Sequence, residues 1–155
     1  ETPLHKEGFL DLVNAGYFNG LSFNRVINKF VIQGGCPDLP NGFEDTSLFV
    51  QPEFQDHLIH EFGALGGGRD DNPGKKTNIC QFYIVDKPQK EVDVRRLDGD
   101  YTIFGKVISD LSVVQAISKV ETNEDDAPLE PMSFTLTQVL YTQAQLKDVF
   151  GFEVP

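Results

Sequence analysis

The sequence predicts one mainly β domain, an antiparallel barrel or sandwich with few helices. Short runs rich in β-branched and aromatic residues (30–33, 80–85, 101–107 and 134–141) are each bounded by Gly, Pro, Asn or Asp. Two clear helical patterns are too few for alternating β-α units. A chain of 155 residues, 39% hydrophobic with 13 Phe, fills one core and leaves little room for a second domain.

The elements follow in order. Thr2 can cap a first helix, Pro3 suits its first position, and Phe9, Leu12 and Val13 share one face that Gly16 ends. Residues 23–35 read as a strand ending in paired glycines, with Arg25, Phe30 and Gln33 spread along it. Stretches 36–62 and 66–78 read as irregular, and loops that long in a compact domain are usually functional. A second helix is expected over 111–120, capped by Asp110, with Val113, Val114, Ile117 and Val120 buried. Leu146, Val149 and Phe150 stand at helical spacing, so a short C-terminal helix is expected in an extension, 143–155, beyond a domain of 1–142.

Composition excludes several classes. The net charge of −11 repels phosphate backbones and anionic lipid, which argues against nucleic acid and membrane surfaces as partners. No apolar run is long enough to span a bilayer, and no signal peptide or lipidation motif is present. The glycine-rich run from Gly66 to Lys76 is one residue too long for a phosphate loop and lacks its Ser or Thr. His57 and His60, with Glu61 beside them, could in principle hold a metal, but His5 and both cysteines are distant in sequence, and the pair reads as ordinary surface groups. The acidic run 121–126 lacks the glycine and distal glutamate of a calcium loop and reads as a solvated turn. Cys80 has no local base to make it a nucleophile. Whether Cys36 and Cys80 bridge is open, because sequence alone does not bring their Cα atoms into range.

Four motifs carry a family resemblance. Gly16-Tyr17-Phe18-Asn19-Gly20 leads into Phe23-Asn24-Arg25-Val26-Ile27 and then Phe30-Val31-Ile32-Gln33-Gly34-Gly35. Cys80-Gln81-Phe82-Tyr83-Ile84 follows, and then Leu97-Asp98-Gly99 with Thr102-Ile103-Phe104-Gly105-Lys106-Val107. In this order they resemble the cyclophilin family of peptidyl-prolyl cis-trans isomerases, from Thr2 to about Tyr141, with long middle loops like those of its bacterial branch. The resemblance implies an eight-stranded antiparallel barrel closed by two helices, about six strands of which this chain would supply. It implies a rotamase that needs no cofactor or metal and acts on proline-containing peptides in an external groove. By position, Arg25 matches the catalytic arginine, and Phe30, Tyr83 and Leu97 match the wall of the proline pocket, with Val31 beside them. Gln33 matches the glutamine that bonds the substrate backbone, Gln81 a neighbouring polar contact, and Gly68 and Arg69 the segment that pairs with the peptide. Asn24 replaces the family's usual His, Tyr101 replaces a groove His, and Arg96 stands where cyclosporin-sensitive members carry Trp. Weak cyclosporin binding is therefore expected.

The alternatives on the same residues are a non-catalytic proline-peptide scaffold and an unrelated β-barrel carrier. The family normally has a β-hairpin before its first helix, so the expectation is that one precedes Glu1 and that any export signal lies upstream with it. The compartment, periplasmic or cytoplasmic, then stays open. A tail over 143–155 or a neighbouring molecule could instead cover the apolar edge of 134–141.

Overall fold

The computed structural model describes residues 1–37, 46–87 and 94–154. Residues 38–45 of the expected 36–62 loop lie outside these residues. Helix α1 spans Pro3–Asn14, α2 Leu111–Ile117 and α3 Gln143–Phe150. Strands β1 (Phe23–Ile27), β2 (Val31–Gly35), β4 (Ala64–Gly67), β6 (Gln81–Val85) and β7 (Ile103–Lys106) form an antiparallel sheet in the order β1-β2-β6-β4-β7. Two short strands, β3 (Phe49–Val50) and β5 (Thr77–Asn78), pair separately.

Residues 23–35 are a hairpin, not one strand. The turn at Asn28–Phe30 places Lys29 at φ 61, and its amide donates to the Asp86 carboxylate at 2.8 Å. This folding back sets Arg25 directly opposite Gln33. The 36–62 and 66–78 stretches also hold more order than expected, since β3, β5 and a 3-10 turn at Thr46–Leu48 lie in them.

Helix α1 ends as expected. The Tyr17 amide reaches Leu12 O and the Gly16 amide reaches Val13 O, the crossed pair of bonds that closes a helix on a left-handed residue. Its start differs from expectation, because Thr2 makes no side-chain cap bond. The Glu53 carboxylate caps from far along the chain, accepting from Leu4 N at 3.1 Å and His5 N at 2.9 Å. Glu53 also holds His5 Nδ1 at 2.7 Å, while His5 Nε2 meets Thr77 Oγ1 at 2.9 Å. One acid thus ties α1 to β5 through a fully buried imidazole.

Phe9, Phe18, Phe23, Phe82 and Phe134 pack together behind the sheet, with ring centroids 5.0–6.4 Å apart. Helix α2 covers the sheet near Val26 and Ile32 through Leu111, Val114 and Ile117. It stops at Ile117 rather than Val120, and Val113 faces solvent at 52% exposure. Residues 134–141 form no strand: the region makes one bridge, Ser22 to Ser133, and bonds from Phe23 N to Met132 O and between Phe134 and residues 20–21. Beyond Phe134 no described strand lies alongside, and Leu140 is 86% exposed. Cys36 and Cys80 form a disulfide, their Cα atoms 5.5 Å apart. No helix among the described residues is long and apolar enough to cross a membrane.

Glu53→Ala removes the α1 cap and strands buried His5, so it should lower unfolding stability by about 1–3 kcal/mol. Urea denaturation followed by circular dichroism checks this. An unchanged midpoint would show that the Glu53 link is not stabilising.

Candidate active site

The strand register builds one continuous row across the sheet. Arg25 lies opposite Gln33, Gln33 opposite Tyr83, Tyr83 opposite Gly66 and Gly66 opposite Ile103. Directly opposed residues share a face, so side chains distant in sequence project to the same side. Two residues along β2, Val31 pairs Val85, and at its end Gly35 pairs Gln81. The segment after β6 returns through a turn that presents Arg96, Leu97 and Tyr101 over this row.

The result is a groove of about 360 Å³ lined by Arg25, Phe30, Val31, Gln33, Gly68, Arg69, Gln81, Tyr83, Leu97 and Tyr101, and by Arg96 as well. All ten residues singled out from the sequence line it. A larger hollow of about 540 Å³ lies between the start of α1 and β7, and none of the ten lines that one.

Apolar packing shapes the floor. Phe30, Leu97 and Tyr101 pack on buried Val31, Tyr83 and Val85, and Tyr101 meets the edge of Tyr83 at 5.9 Å between centroids. Gly66 is what lets the Tyr83 ring lie across β4, since a Cβ there would sit 2.3 Å from Tyr83 Cζ. The polar groups differ in freedom. Gln81 Nε2 donates to Cys36 O at 3.2 Å, which joins it to the disulfide. Asn24 Nδ2 donates to Gly35 O at 3.2 Å, so the residue replacing the family histidine braces the hairpin. Arg25 projects partly exposed, with Nε 3.6 Å from Asp126 Oδ2. The acidic turn is thus more than a solvated bend, because Asp126 O also accepts from Val26 N at 2.8 Å.

His60 is the residue that sequence reasoning misplaced. It is buried rather than superficial, and it links the groove floor to the loop above it. Its Nδ1 and backbone N–H both meet Asp98 Oδ1, at 2.7 and 2.8 Å, and its Nε2 meets the Tyr83 hydroxyl at 2.7 Å. These partners fit a neutral imidazole that donates from Nδ1 and accepts the phenol proton at Nε2. Burial lowers the His60 pKa against the opposing pull of Asp98. Burial alone would raise Asp98, but bonds from Arg95 and His60 hold it below the usual carboxylate value. Tyr83 is pushed well up, chiefly by burial, and stays a phenol. Beyond Asp98 of the Leu-Asp-Gly motif, an acid that accepts from His60 and Arg95 here, no residue pattern pointed to the burial of His60. His57, by contrast, is 62% exposed beside Glu1, as expected.

Residues 1–139 match the family model described as cyclophilin type peptidyl-prolyl cis-trans isomerase/CLD. The chain belongs to that family. Its activity is the cis-trans isomerisation of peptidyl-prolyl bonds. Peptidyl-prolyl cis-trans isomerase ppi1 of Schizosaccharomyces pombe is 38% identical over 132 residues, spanning 84% of this chain and 81% of that one. The human peptidyl-prolyl cis-trans isomerase-like 1 is 35% identical over 130 residues, spanning 83% and 74%. A Cryptosporidium parvum cyclophilin type isomerase, crystallised in the presence of the dipeptide Ala-Pro, superposes with a TM-score of 0.72 at 25% identity, covering 86% of this chain and 82% of that one. These relatives are eukaryotic and lend the bacterial branch no support.

The buried histidines give a pH dependence with a definite sign. Burial also lowers the His5 pKa, so both folded values fall below the ordinary 6.5. Below pH 6.5 the unfolded chain takes up protons that the folded chain refuses. Their contribution is therefore intact above pH 6.5 and is lost as pH falls through the folded values. The thermal midpoint should drop between pH 7 and pH 5; a flat profile across that interval would contradict neutral, buried imidazoles.

Proposed function

We propose that this groove is where the prolyl bond turns, and that Arg25 is the group that lowers its barrier. The observation that carries the reading is the convergence of Arg25, Gln33, Tyr83, Phe30 and Leu97 on one groove, from a register that leaves Arg25 beside the apolar floor.

Rotation about an X–Pro bond must overcome about 18–20 kcal/mol, because amide resonance is lost at the midpoint. There the prolyl nitrogen becomes pyramidal and gains a lone pair. A guanidinium held beside it donates a hydrogen bond that is strong only in that twisted state, which lowers the barrier rather than merely tightening binding. Arg suits the task because it stays charged and presents a rigid fork of donors. Asp126 is close enough to Arg25 to orient the guanidinium, yet at 3.6 Å it leaves the donors uncommitted. Phe30, Val31, Leu97 and Tyr83 hold the pyrrolidine ring, Tyr101 closes one side, and Gln33 bonds the substrate backbone. Gly68, Arg69 and Gln81 line the stretch where the peptide chain runs. No nucleophile or cofactor takes part in this scheme.

The same proposal carries the finer points of the family resemblance. Closure of the sheet into a barrel is supported by the superposition on the Cryptosporidium structure. Residues 1–142 form the isomerase domain, and 143–155 an appended helix and tail. The substrates are proline-containing peptides or proteins.

Arg25→Ala should lower kcat/KM for X–Pro isomerisation about a hundredfold, as expected for removing one donor to developing charge. Exchange spectroscopy on an X–Pro peptide, with circular dichroism to confirm folding, measures it. A folded variant as fast as the parent would remove Arg25 from the mechanism. Cyclosporin should bind weakly, because Arg96 offers neither an indole N–H nor its apolar area. Arg96→Trp should bind it more tightly by calorimetry, and nanomolar affinity in the unaltered protein would show that Arg96 is no obstacle.

A further inference from the structure

The chain has four arginines, and three of them line the groove. That is a marked concentration of positive charge in a protein of net charge −11. Each of the three presents its charge to the groove. Arg96 lies over the Phe30 ring with Cζ 5.0 Å from the centroid, and among the described residues it has no carboxylate partner. Arg69 lies over Tyr101 at 4.5 Å, and its donors go to the carbonyls of Asp100 and Asp70, which leaves its charge without a close ion pair among the described residues. Among the described residues, Arg25 has the long contact to Asp126 alone.

Among the described residues, three nearby acids have other partners. Asp98 is held by Arg95 and His60, Asp100 pairs with Lys75, and Asp86 caps the turn at Lys29. Among the described residues, the one carboxylate in a direct ion contact with any of the three guanidiniums is Asp126, at 3.6 Å from Arg25. The two that stack on Phe30 and Tyr101 are fixed in place by the rings that form the proline pocket. Arg96 over Phe30 keeps its donors for a contact with a carboxylate or phosphate, whereas Arg69 has Nε and Nη1 on backbone carbonyls and contributes its charge. The distant acids that give the chain its net charge act weakly here, since screening limits their reach to about 8 Å at physiological salt.

We propose that the groove selects proline-containing substrates with an anionic side chain beside the proline, either a carboxylate or a phosphate ester. This deepens the reading of the groove as the isomerisation site and rests on it.

The test is a set of otherwise identical peptides with Glu, phosphoserine, Ala or Lys before the proline, assayed by exchange spectroscopy at low and high salt. The Glu and phosphoserine peptides should exceed the Ala peptide in kcat/KM by about fivefold or more at low salt, mainly through KM, and the Lys peptide should fall below it. The difference should shrink in 1 M salt. Arg96→Glu should narrow or invert the Glu-to-Lys ratio, with the Ala peptide as the reference within each variant and circular dichroism confirming the fold. Preference for Glu alone would identify the carboxylate as the ligand, and preference for phosphoserine alone the phosphate ester; either supports the proposal. Equal kcat/KM across the four peptides would overturn it and leave the isomerase reading standing. Absence of turnover with every peptide would overturn both.

Discussion

Most of the molecule depends on the register between β2 and β6. A slip of one residue would turn Gln33 and Tyr83 away from the groove and bring Ile32 and Phe82 out of the core. Three local features hold it. The Cys36–Cys80 disulfide clamps the strand ends, with Cys36 N bonding Cys80 O at 2.9 Å. Gly35, at φ 98, allows this approach, because a Cβ there would lie 2.0 Å from Cys80 O. At the opposite end, Asp86 N bonds Phe30 O while its carboxylate holds Lys29 N. With both ends pinned, β1 and β4 add on either side, and the row from Arg25 to Ile103 follows.

The two faces of that sheet are solved differently. Behind it the Phe cluster packs without polar atoms, so shape and apolar area suffice. On the groove side the floor contains a phenol and an imidazole, which cost stability unless fully bonded. Asp98, His60 and Tyr83 satisfy one another, and no buried side-chain polar atom among the described residues lacks a partner. The chain of bonds joins β6 to the turn that carries Arg96, Leu97 and Tyr101, and so ties the two walls of the groove together.

How much of this was legible in the sequence varied with length and chemistry. β2, β6 and β7 are alternating or β-branched runs of four or five residues, and their cores are read directly. β3 and β5 have two residues each, too short to show any alternation. The β1–β2 hairpin was hidden because Lys29, rather than Gly or Asn, takes the left-handed position, and Asn28 alone is a weak turn signal. Residues 134–141 carried the opposite error: an apolar pattern suited to a strand, without a described neighbour to pair with past Phe134. The groove residues were found through the order of the motifs. Periodicity gave Arg25 only an exposed position, and could not show that Asp98 would draw His60 inside.

Helix α3 differs in kind from everything else in the fold. It carries a complete capping box between Thr142 and Gln145, ends on Gly151 at φ 63, and packs Tyr141 against Phe150, yet it buries no residue fully. Its order comes chiefly from contacts within a dozen residues, and an eight-residue helix so supported is marginal in water. Its amides should therefore exchange with solvent deuterium through fraying of the helix alone, far faster than those of β2 and β6, which wait for the whole sheet to open. On that reasoning the C-terminal helix should open independently of the sheet, and a protease should cut near Tyr141 before it reaches the groove.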